Sequence, residues 1–177
     1  MVREIIKYPH PSLRVHAKTI ETINGEIQAL ADEMVQALVR AEGLGLAAPQ
    51  LGEPVRLIVI DVEDEFHILI NPRILETSQE TVVAPEGCLS IPGAEAEIER
   101  AKWVRIEALD LEGERVELDG KELMARVLLH EIDHLDGILF IDHLGEAKRT
   151  LLLKEYEKQR KEKHRKRERS RGVRSAI

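Results

Sequence analysis

The sequence has little or none of several features that define whole classes of protein. Cys88 is the one cysteine among 177 residues, which excludes an intramolecular disulfide and agrees with a reducing compartment. Aromatic residues make up only 3% of the chain, so we expect an aliphatic core. No apolar run approaches the roughly 20 residues of a membrane span, and the first residues lack the apolar segment of a signal peptide. These absences predict a cytoplasmic protein.

The charges are unevenly distributed along the chain. The net charge is −7, yet residues 148–177 contain 13 Lys/Arg against 4 Asp/Glu, so the preceding part is strongly acidic. Hydrophobic residues make up 43% of the chain, and its length suits one domain with its own core. We expect a folded domain over residues 1–157 and a basic, flexible tail over residues 158–177. Such a tail suggests a polyanionic partner.

Hydrophobic periodicity predicts mixed secondary structure. One helix is expected to follow Asn24 and end at Glu42-Gly43, and a polar helix begins near Gly145. Alternating stretches typical of strands cover residues 54–62, 66–71, 73–84, 95–110, 116–118 and 138–141. The run 43–50 has neither period. The predicted fold class is α+β, with antiparallel β-sheets packed around a central helix and with N-terminal and C-terminal helices.

The central helix is predicted from Asp119, as the N-cap, to Gly137, and it contains His-Glu-Ile-Asp-His at residues 130–134. His130 and His134 project from one face, close enough to bind a single metal ion. In such helices the glutamate after the first histidine, here Glu131, can act as general base towards a metal-bound water. The alternative is a pair of core histidines without a metal, although unligated polar groups in an apolar helix cost several kcal/mol.

A catalytic metal with one open position needs a third protein ligand. The longer protease pattern His-Glu-x-x-His-x-x-Gly-x-x-His is excluded, because Phe140 occupies its last position. Cys88 is the best remaining candidate, since a thiolate suits Zn(II) or Fe(II). The alternative for a lone cysteine is a small buried hydrophobic side chain.

Three separated motifs together indicate a family. Residues 43–50 read Gly-Leu-Gly-Leu-Ala-Ala-Pro-Gln, residues 86–90 read Glu-Gly-Cys-Leu-Ser, and the third motif is the His-Glu-x-x-His segment. In type, order and spacing they resemble the motifs of bacterial peptide deformylases, over roughly residues 5–144. The resemblance implies a deformylase catalytic domain at residues 1–157. It implies a metal-dependent hydrolase that removes the formyl group from N-formylmethionyl nascent peptides and releases formate.

The resemblance also implies the metal site and the catalytic groups. The implied metal ligands are Cys88, His130 and His134. The implied natural metal is Fe(II), and Zn(II), Ni(II) or Co(II) can substitute for it. Glu131 resembles the general acid/base, while the Gln50 side chain and the Leu89 backbone N–H resemble the donors to the oxyanion.

Further residues are assigned by the same resemblance. The backbone of Gly45 is expected to hydrogen-bond the substrate. The expected lining of the methionine pocket is Leu44, Leu123 and Val127. Glu86 and Arg100 match an ion pair that steadies the loop carrying Cys88. Leu129 departs from the family pattern, in which Gln is more usual. Arg126 is expected either at the pocket rim, contacting peptide carbonyls, or as a solvated helix residue.

Two other interpretations remain open from the sequence. A His-Glu-x-x-His metalloprotease predicts a third ligand downstream of His134 and no role for Cys88. A non-catalytic ribosome- or RNA-binding protein with a structural metal uses the basic tail, but it leaves Glu131 and Gln50 unexplained and needs a fourth protein ligand. By resemblance, a basic C-terminal extension docks on the ribosome through phosphate contacts; the alternative is a solvated, disordered end.

Overall fold

The computed structural model describes residues 3–174, apart from the side chains of residues 167 and 169–174. Its helices are α1 (Gly25–Ala41), α2 (Glu122–Leu135) and α3 (Glu146–Arg174). Its strands are β1 (Gly45–Ala47), β2 (Leu57–Val62), β3 (Glu65–Thr77), β4 (Thr81–Gly87), β5 (Glu95–Ala101), β6 (Trp103–Leu109) and β7 (Arg115–Lys121). Short 3-10 turns cover Pro11–Arg14, Ala48–Leu51 and Phe140–His143. No helix among these residues is long and apolar enough to cross a bilayer.

Over residues 3–174 the strands form two antiparallel sheets. The larger sheet has the order β1-β2-β3-β6-β7, and the smaller one pairs β4 with β5. Helix α2 packs against the larger sheet and also contacts β5 of the smaller one. The α+β class, with antiparallel sheets around a central helix, is therefore confirmed.

Strand β2 lies in the middle of the protein and is buried on both faces. Its successive side chains point to opposite sides, as a strand requires. Ile58 and Ile60 join the apolar cluster beneath α2, whereas Leu57 and Val59 join the cluster beneath α1. This double burial explains the unbroken apolar run Leu-Ile-Val-Ile. Because β2 packs against α2 and pairs with β1, it also holds α2 close to β1 and to the segment that follows β1.

Helix α1 has the boundaries that the sequence predicts. The side chain of Asn24 accepts hydrogen bonds from the backbone N–H groups of Glu26 and Ile27, at 3.0 and 3.2 Å. Glu42 ends the helix in the left-handed conformation, with φ of 51°. The helix delivers the chain directly into Gly43 and β1, and so places one glycine-rich motif beside α2.

Several predicted strand boundaries are wrong. The expected strand at residues 73–84 is divided, because β3 continues to Thr77 and β4 begins at Thr81 in the other sheet. The expected strand at residues 95–110 is divided in the same way at Lys102. The run 43–50, which showed no period, contains β1 and a 3-10 turn. Alternation reports which side chains face a core, but it does not report a change of sheet.

The predicted start of the central helix is also wrong. Asp119 lies in β7, opposite Arg105, and their side chains are 2.8 Å apart. Because β7 pairs with β6 as far as Lys121, helix α2 begins only at Glu122. Gly137 does stand just beyond the end of α2, with φ of 72°.

The expected strand at residues 138–141 is a 3-10 turn at Phe140–His143. The Asp142 side chain accepts a hydrogen bond from Leu139 N–H at 2.8 Å, which caps this turn. The polar C-terminal helix is present as α3 and extends to Arg174. A flexible unit at residues 158–177 stays a prediction, and residues 175–177 lie outside the described part of the chain.

Candidate metal centre

The three predicted metal ligands lie together, although two different elements carry them. Cys88 directly follows the last residue of β4, and His130 and His134 stand on successive turns of α2. Cys88 Sγ lies 3.2 Å from His134 Nε2, and one potential ligand atom from each of the three residues lies within 4.8 Å of the others. Both histidines are buried. The fold therefore unites residues that are more than 40 positions apart.

The electrostatics of the cluster favour a thiolate at Cys88. Burial raises the pKa of Cys88, but the positive charge and hydrogen bonds of His134 and His130 lower it well below its ordinary value. For His130, burial lowers the pKa, while hydrogen bonds to Cys88 and Glu86 and the charge of Glu131 raise it well above 6.5. The thiolate is the form of cysteine that binds metal.

The donor set fits a divalent metal ion. One thiolate and two imidazoles are the ligands that Zn(II) and other borderline-soft metals prefer. An ion bonded to sulfur at about 2.3 Å and to nitrogen at about 2.0–2.1 Å needs its ligand atoms close to one another. The three ligand atoms here, within 4.8 Å of one another, meet this need. Within the described residues the cluster contains three ligand side chains, which leaves a coordination position for water or substrate. This arrangement is typical of a catalytic site.

Glu86 orients the first histidine. Its Oε1 lies 2.7 Å from His130 Nδ1, so the other ring nitrogen is directed towards the cluster. Arg100 donates to both carboxylate oxygens, at 2.6 and 3.1 Å, which places the predicted Glu86–Arg100 pair as expected. Burial raises the pKa of Glu86, but His130 and Arg100 together hold it well below its ordinary value. An ionised Glu86 keeps the imidazole in one orientation.

Arg126 is not the solvated helix residue that one sequence interpretation expects, because it lies among the residues that line a cavity beside the cluster. Its side chain is buried and donates to Glu86 Oε2 at 2.9 Å. It also donates to the carbonyl oxygens of Ile98 and Val82, at 2.9 and 3.0 Å. Arg126 therefore joins α2 to both strands of the small sheet and shares the Glu86 carboxylate with Arg100.

Glu131 is buried beside the ligands, and its Oε2 has no hydrogen-bond partner within the described structure. Burial raises its pKa to about 7, against the opposing charges of His130 and His134. A carboxyl group that titrates near neutrality can both accept and return a proton. Gly45 makes room for it, since a Cβ at Gly45 would lie 2.5 Å from Glu131 Oε1.

Gln50 and Leu89 lie where polar donors can face the cluster. The side-chain oxygen of Gln50 accepts a hydrogen bond from Ala47 N–H at 2.8 Å. This bond orients the side-chain nitrogen of Gln50 towards Ser90 Oγ at 3.1 Å and Cys88 Sγ at 3.7 Å. Leu89 follows Cys88 in the chain and lines the same cavity. The structure thus places Gln50 and Leu89 in the cavity beside Cys88, and their roles as donors stay predictions.

A cavity of about 710 Å³ opens onto the cluster. Its walls include the predicted substrate contacts Leu44, Gly45, Leu123 and Val127, together with Gln50, Glu86, Cys88, Leu89, His130 and Glu131. Leu44 and Leu123 are partly exposed at 46% and 42%, whereas Val127 is buried. An apolar wall next to convergent polar groups is the usual form of a small ligand site.

Some residues with a structural part in the site received no role from the sequence. Asp133, inside the metal motif, accepts from Arg100 and lies 2.7 Å from His143 Nε2. Lys7 reaches the same cavity from the N-terminus. The sequence gives no signal that Asp133 pairs with Arg100, 33 positions away, or that Lys7 reaches the cavity, because both contacts depend on the tertiary fold.

The geometry does not favour the two alternative interpretations. The third side chain of the cluster is Cys88, upstream of the helix, and not the downstream residue that a metalloprotease predicts. A structural metal site would be closed by four protein ligands, and the described residues supply three. The structural-metal alternative also leaves the buried Glu131, whose pKa burial raises to about 7, without a purpose.

Comparison with known proteins agrees with the geometry. A family model described as polypeptide deformylase matches residues 2–150. The peptide deformylase of Mesorhizobium japonicum is 45% identical over 167 residues, covering 92% of this chain and 95% of that protein. The crystal structure of a peptide deformylase from Legionella pneumophila has a TM-score of 0.88 at 38% identity, covering 93% and 99% of the two chains. That of Ehrlichia chaffeensis peptide deformylase in complex with actinonin has a TM-score of 0.85 at 33% identity, covering 89% and 97%. The chain belongs to the polypeptide deformylase family.

Proposed function

We propose that this chain hydrolyses the formamide bond at the N-terminal methionine of nascent polypeptides, and so removes the formyl group as formate. The observation that carries the proposal is the convergence of Cys88, His130 and His134 beside the buried Glu131, within one cavity. We assign the first three as metal ligands and Glu131 as the general acid/base. Fe(II) is the proposed natural metal, with Zn(II), Ni(II) or Co(II) as substitutes, and the cytoplasm is the proposed location.

The chemistry of formamide hydrolysis requires these groups. A divalent ion held by the three ligands supplies Lewis acidity and promotes ionisation of water. Glu131 takes the proton from the attacking water, because its carboxyl lies beside the ligands and is short of a hydrogen-bond partner. It then delivers that proton to the nitrogen of the methionine as the C–N bond breaks. A pKa of about 7 suits both transfers.

Two donors are proposed to stabilise the negative charge that develops on the formyl oxygen. The Gln50 side-chain amide is preoriented because its oxygen accepts from Ala47 N–H, and Leu89, which follows Cys88 in the chain, lines the same cavity. Preorganised donors of this kind each contribute about 10²–10³ in rate.

The cavity walls account for the proposed choice of methionine. Leu44, Leu123 and Val127 offer an apolar surface next to the catalytic groups, which suits a flexible thioether side chain. The backbone of Gly45 lies next to the Glu131 carboxyl in the cavity wall and is proposed to hydrogen-bond the substrate peptide. Glu86 and Arg100 are proposed to act without contacting the substrate, by orienting His130 and the strand that precedes Cys88.

The test of the proposal compares two substrates of equal length. Purified protein loaded with Fe(II) under anaerobic conditions is given a formyl-Met tripeptide, and formate is measured beside cleavage of an acetyl-capped tripeptide. We expect formate release from the formyl substrate and an intact peptide chain. Internal cleavage, or no formate from protein that holds a metal, would reject the deformylase assignment.

The basic C-terminal segment is proposed to dock on the ribosome through phosphate contacts. Its Lys/Arg excess and its helical backbone support this proposal. Truncation after Arg160 preserves the contacts that Tyr156 and Arg160 make with the Tyr8 carbonyl, and so spares the body of the enzyme. We expect the truncated chain to lose ribosome co-sedimentation at low salt while it hydrolyses a short peptide normally. Unchanged co-sedimentation would refute the proposal.

A further inference from the structure

Residues 6–8, near the start of the described part of the chain, form an arm that lies against Gln50 and the segment that contains Cys88. Ile6 N–H donates to the backbone carbonyl of Gln50 at 2.8 Å, and Tyr8 N–H donates to the backbone carbonyl of Ser90 at 2.9 Å. Between these two anchors the side chains alternate, as in an extended strand. Ile6 and Tyr8 face an apolar cluster, whereas Lys7 faces the cavity. The arm therefore fixes the direction of a single lysine.

Lys7 ends in a hydrogen bond next to the metal ligands. Its Nζ donates to the Leu89 carbonyl oxygen at 2.6 Å. That carbonyl belongs to the same peptide unit as the Ser90 N–H, which donates to Cys88 Sγ at 3.4 Å. The ammonium, the peptide unit and the sulfur thus form a continuous chain of two hydrogen bonds. The Gln50 amide, at 3.7 Å, is a second donor towards the same sulfur.

Such a chain carries polarisation. A positive charge on the carbonyl oxygen draws electron density from the peptide and makes its N–H a stronger donor. A stronger hydrogen bond to a thiolate lowers the energy of the sulfur electrons and weakens their donation to a metal. Burial lowers the pKa of Lys7 below its ordinary value, and the negative charges of Cys88 and Glu4 offset only part of this effect.

We propose that Lys7 is a positioning residue that tunes the Cys88 thiolate through the Leu89–Ser90 peptide, and so sets how strongly the thiolate donates to the metal. The inference rests on the proposed metal site. Lys7 makes the metal a stronger Lewis acid than the three ligands alone would. The role follows from the contacts of one side chain, and the family motifs do not include that residue.

The test uses Co(II)-substituted protein, because a thiolate bound to Co(II) gives a ligand-to-metal charge-transfer band in the near ultraviolet. Lys7→Met removes the charge and keeps most of the side-chain volume. Weaker stabilisation of the sulfur electrons lowers the transition energy, so we expect the band to move to longer wavelength. We also expect kcat to fall about tenfold, the lower end of the effect of losing a partner to metal ligands.

Three controls separate this role from others. Lys7→Arg retains the charge and the donor and should restore the parental band. Lys18→Met removes an exposed lysine elsewhere in the N-terminal region and should leave the band unchanged. Tyr156→Phe removes the hydrogen bond to the Tyr8 carbonyl, and so loosens the arm without removing the ammonium. It should also leave the band in place.

Each outcome supports or overturns the inference. A band that moves in Lys7→Met alone supports it. An unmoved band in Lys7→Met, or an equal shift in Tyr156→Phe, overturns it, as does a raised KM with unchanged kcat, which would identify a substrate contact. If Lys7→Met does not fold, Lys7→Gln is compared with Lys7→Arg by the same measurement. Parental protein without any thiolate–cobalt band would instead reject the metal site itself, so the two failures are distinguishable.

Discussion

Replacing Gly45 by alanine should disable Glu131 without disturbing the metal ligands. A Cβ at position 45 would lie 2.5 Å from Glu131 Oε1 and 2.8 Å from its Cγ. Carbon–oxygen contacts in folded proteins are seldom closer than about 3.4 Å, so the carboxyl group must move by about 1 Å. A displacement of that size costs about 10²-fold in rate, or about 2.7 kcal/mol of transition-state stabilisation.

The assay measures kcat for formate release together with the metal content of Gly45→Ala. Gly120→Ala is the matched control, because its Cβ would meet Leu128 Cδ1 at 2.8 Å and Met124 Cγ at 3.1 Å, and none of these three residues lines the cavity. Both variants should lose about 1–3 kcal/mol of stability from overpacking, but Gly45→Ala alone should lose most of its kcat. A parental kcat in Gly45→Ala, or a loss of metal that accounts for the lost activity, would refute the reasoning.

Three further predictions concern stability. Arg126→Met should lower the free energy of unfolding by about 3 kcal/mol in urea titrations, because it removes one cation from the buried Glu86 and the guanidinium donor from two carbonyls; a raised KM with normal stability would favour the rim interpretation. Burial raises the pKa of Asp142, but hydrogen bonds from Arg14 and Leu139 N–H lower it below its ordinary 3.8. Its contribution is therefore present above pH 3.8 and is lost as the pH falls further, so Asp142→Asn should be about 1 kcal/mol less stable at pH 7 and should approach the parent near pH 3. Equal differences at both pH values would contradict this. Chelation of a metal present at about 100 times its Kd should lower Tm by roughly 5–10 °C, whereas an unchanged Tm would argue against a metal linked to folding.

The metal helix could be predicted because its signal is local. His130 and His134 are four residues apart on one helix, and geometry alone puts them on one face. Cys88 was a candidate by elimination and by resemblance, since no local pattern reports that the end of β4 lies beside α2. The need for glycine at position 45 could not be predicted from the local sequence either. A side chain there would collide with the carboxyl of Glu131, which is 86 positions away in the sequence.

The errors arise where tertiary structure overrides a local preference. Asp119 is a good N-cap by type, but pairing with Arg105 extends β7 and delays the helix. Arg126 is charged, which favours a position near solvent, yet the small sheet covers it and provides carbonyls and a carboxylate for its guanidinium. The contact of Lys7 with Leu89 has no sequence signal, because it depends on where the N-terminal arm docks.

The most direct test of the account is the turnover of a formyl-Met peptide by Glu131→Gln, with the metal content measured on the same sample. Glutamine keeps the size of the buried side chain but can neither take nor return a proton, and it leaves Cys88, His130 and His134 unchanged. The account predicts a fully loaded metal site and a loss of kcat of about 10²–10⁴-fold relative to the parent. A loaded variant that releases formate at the parental rate would contradict the assignment of Glu131 as the general acid/base.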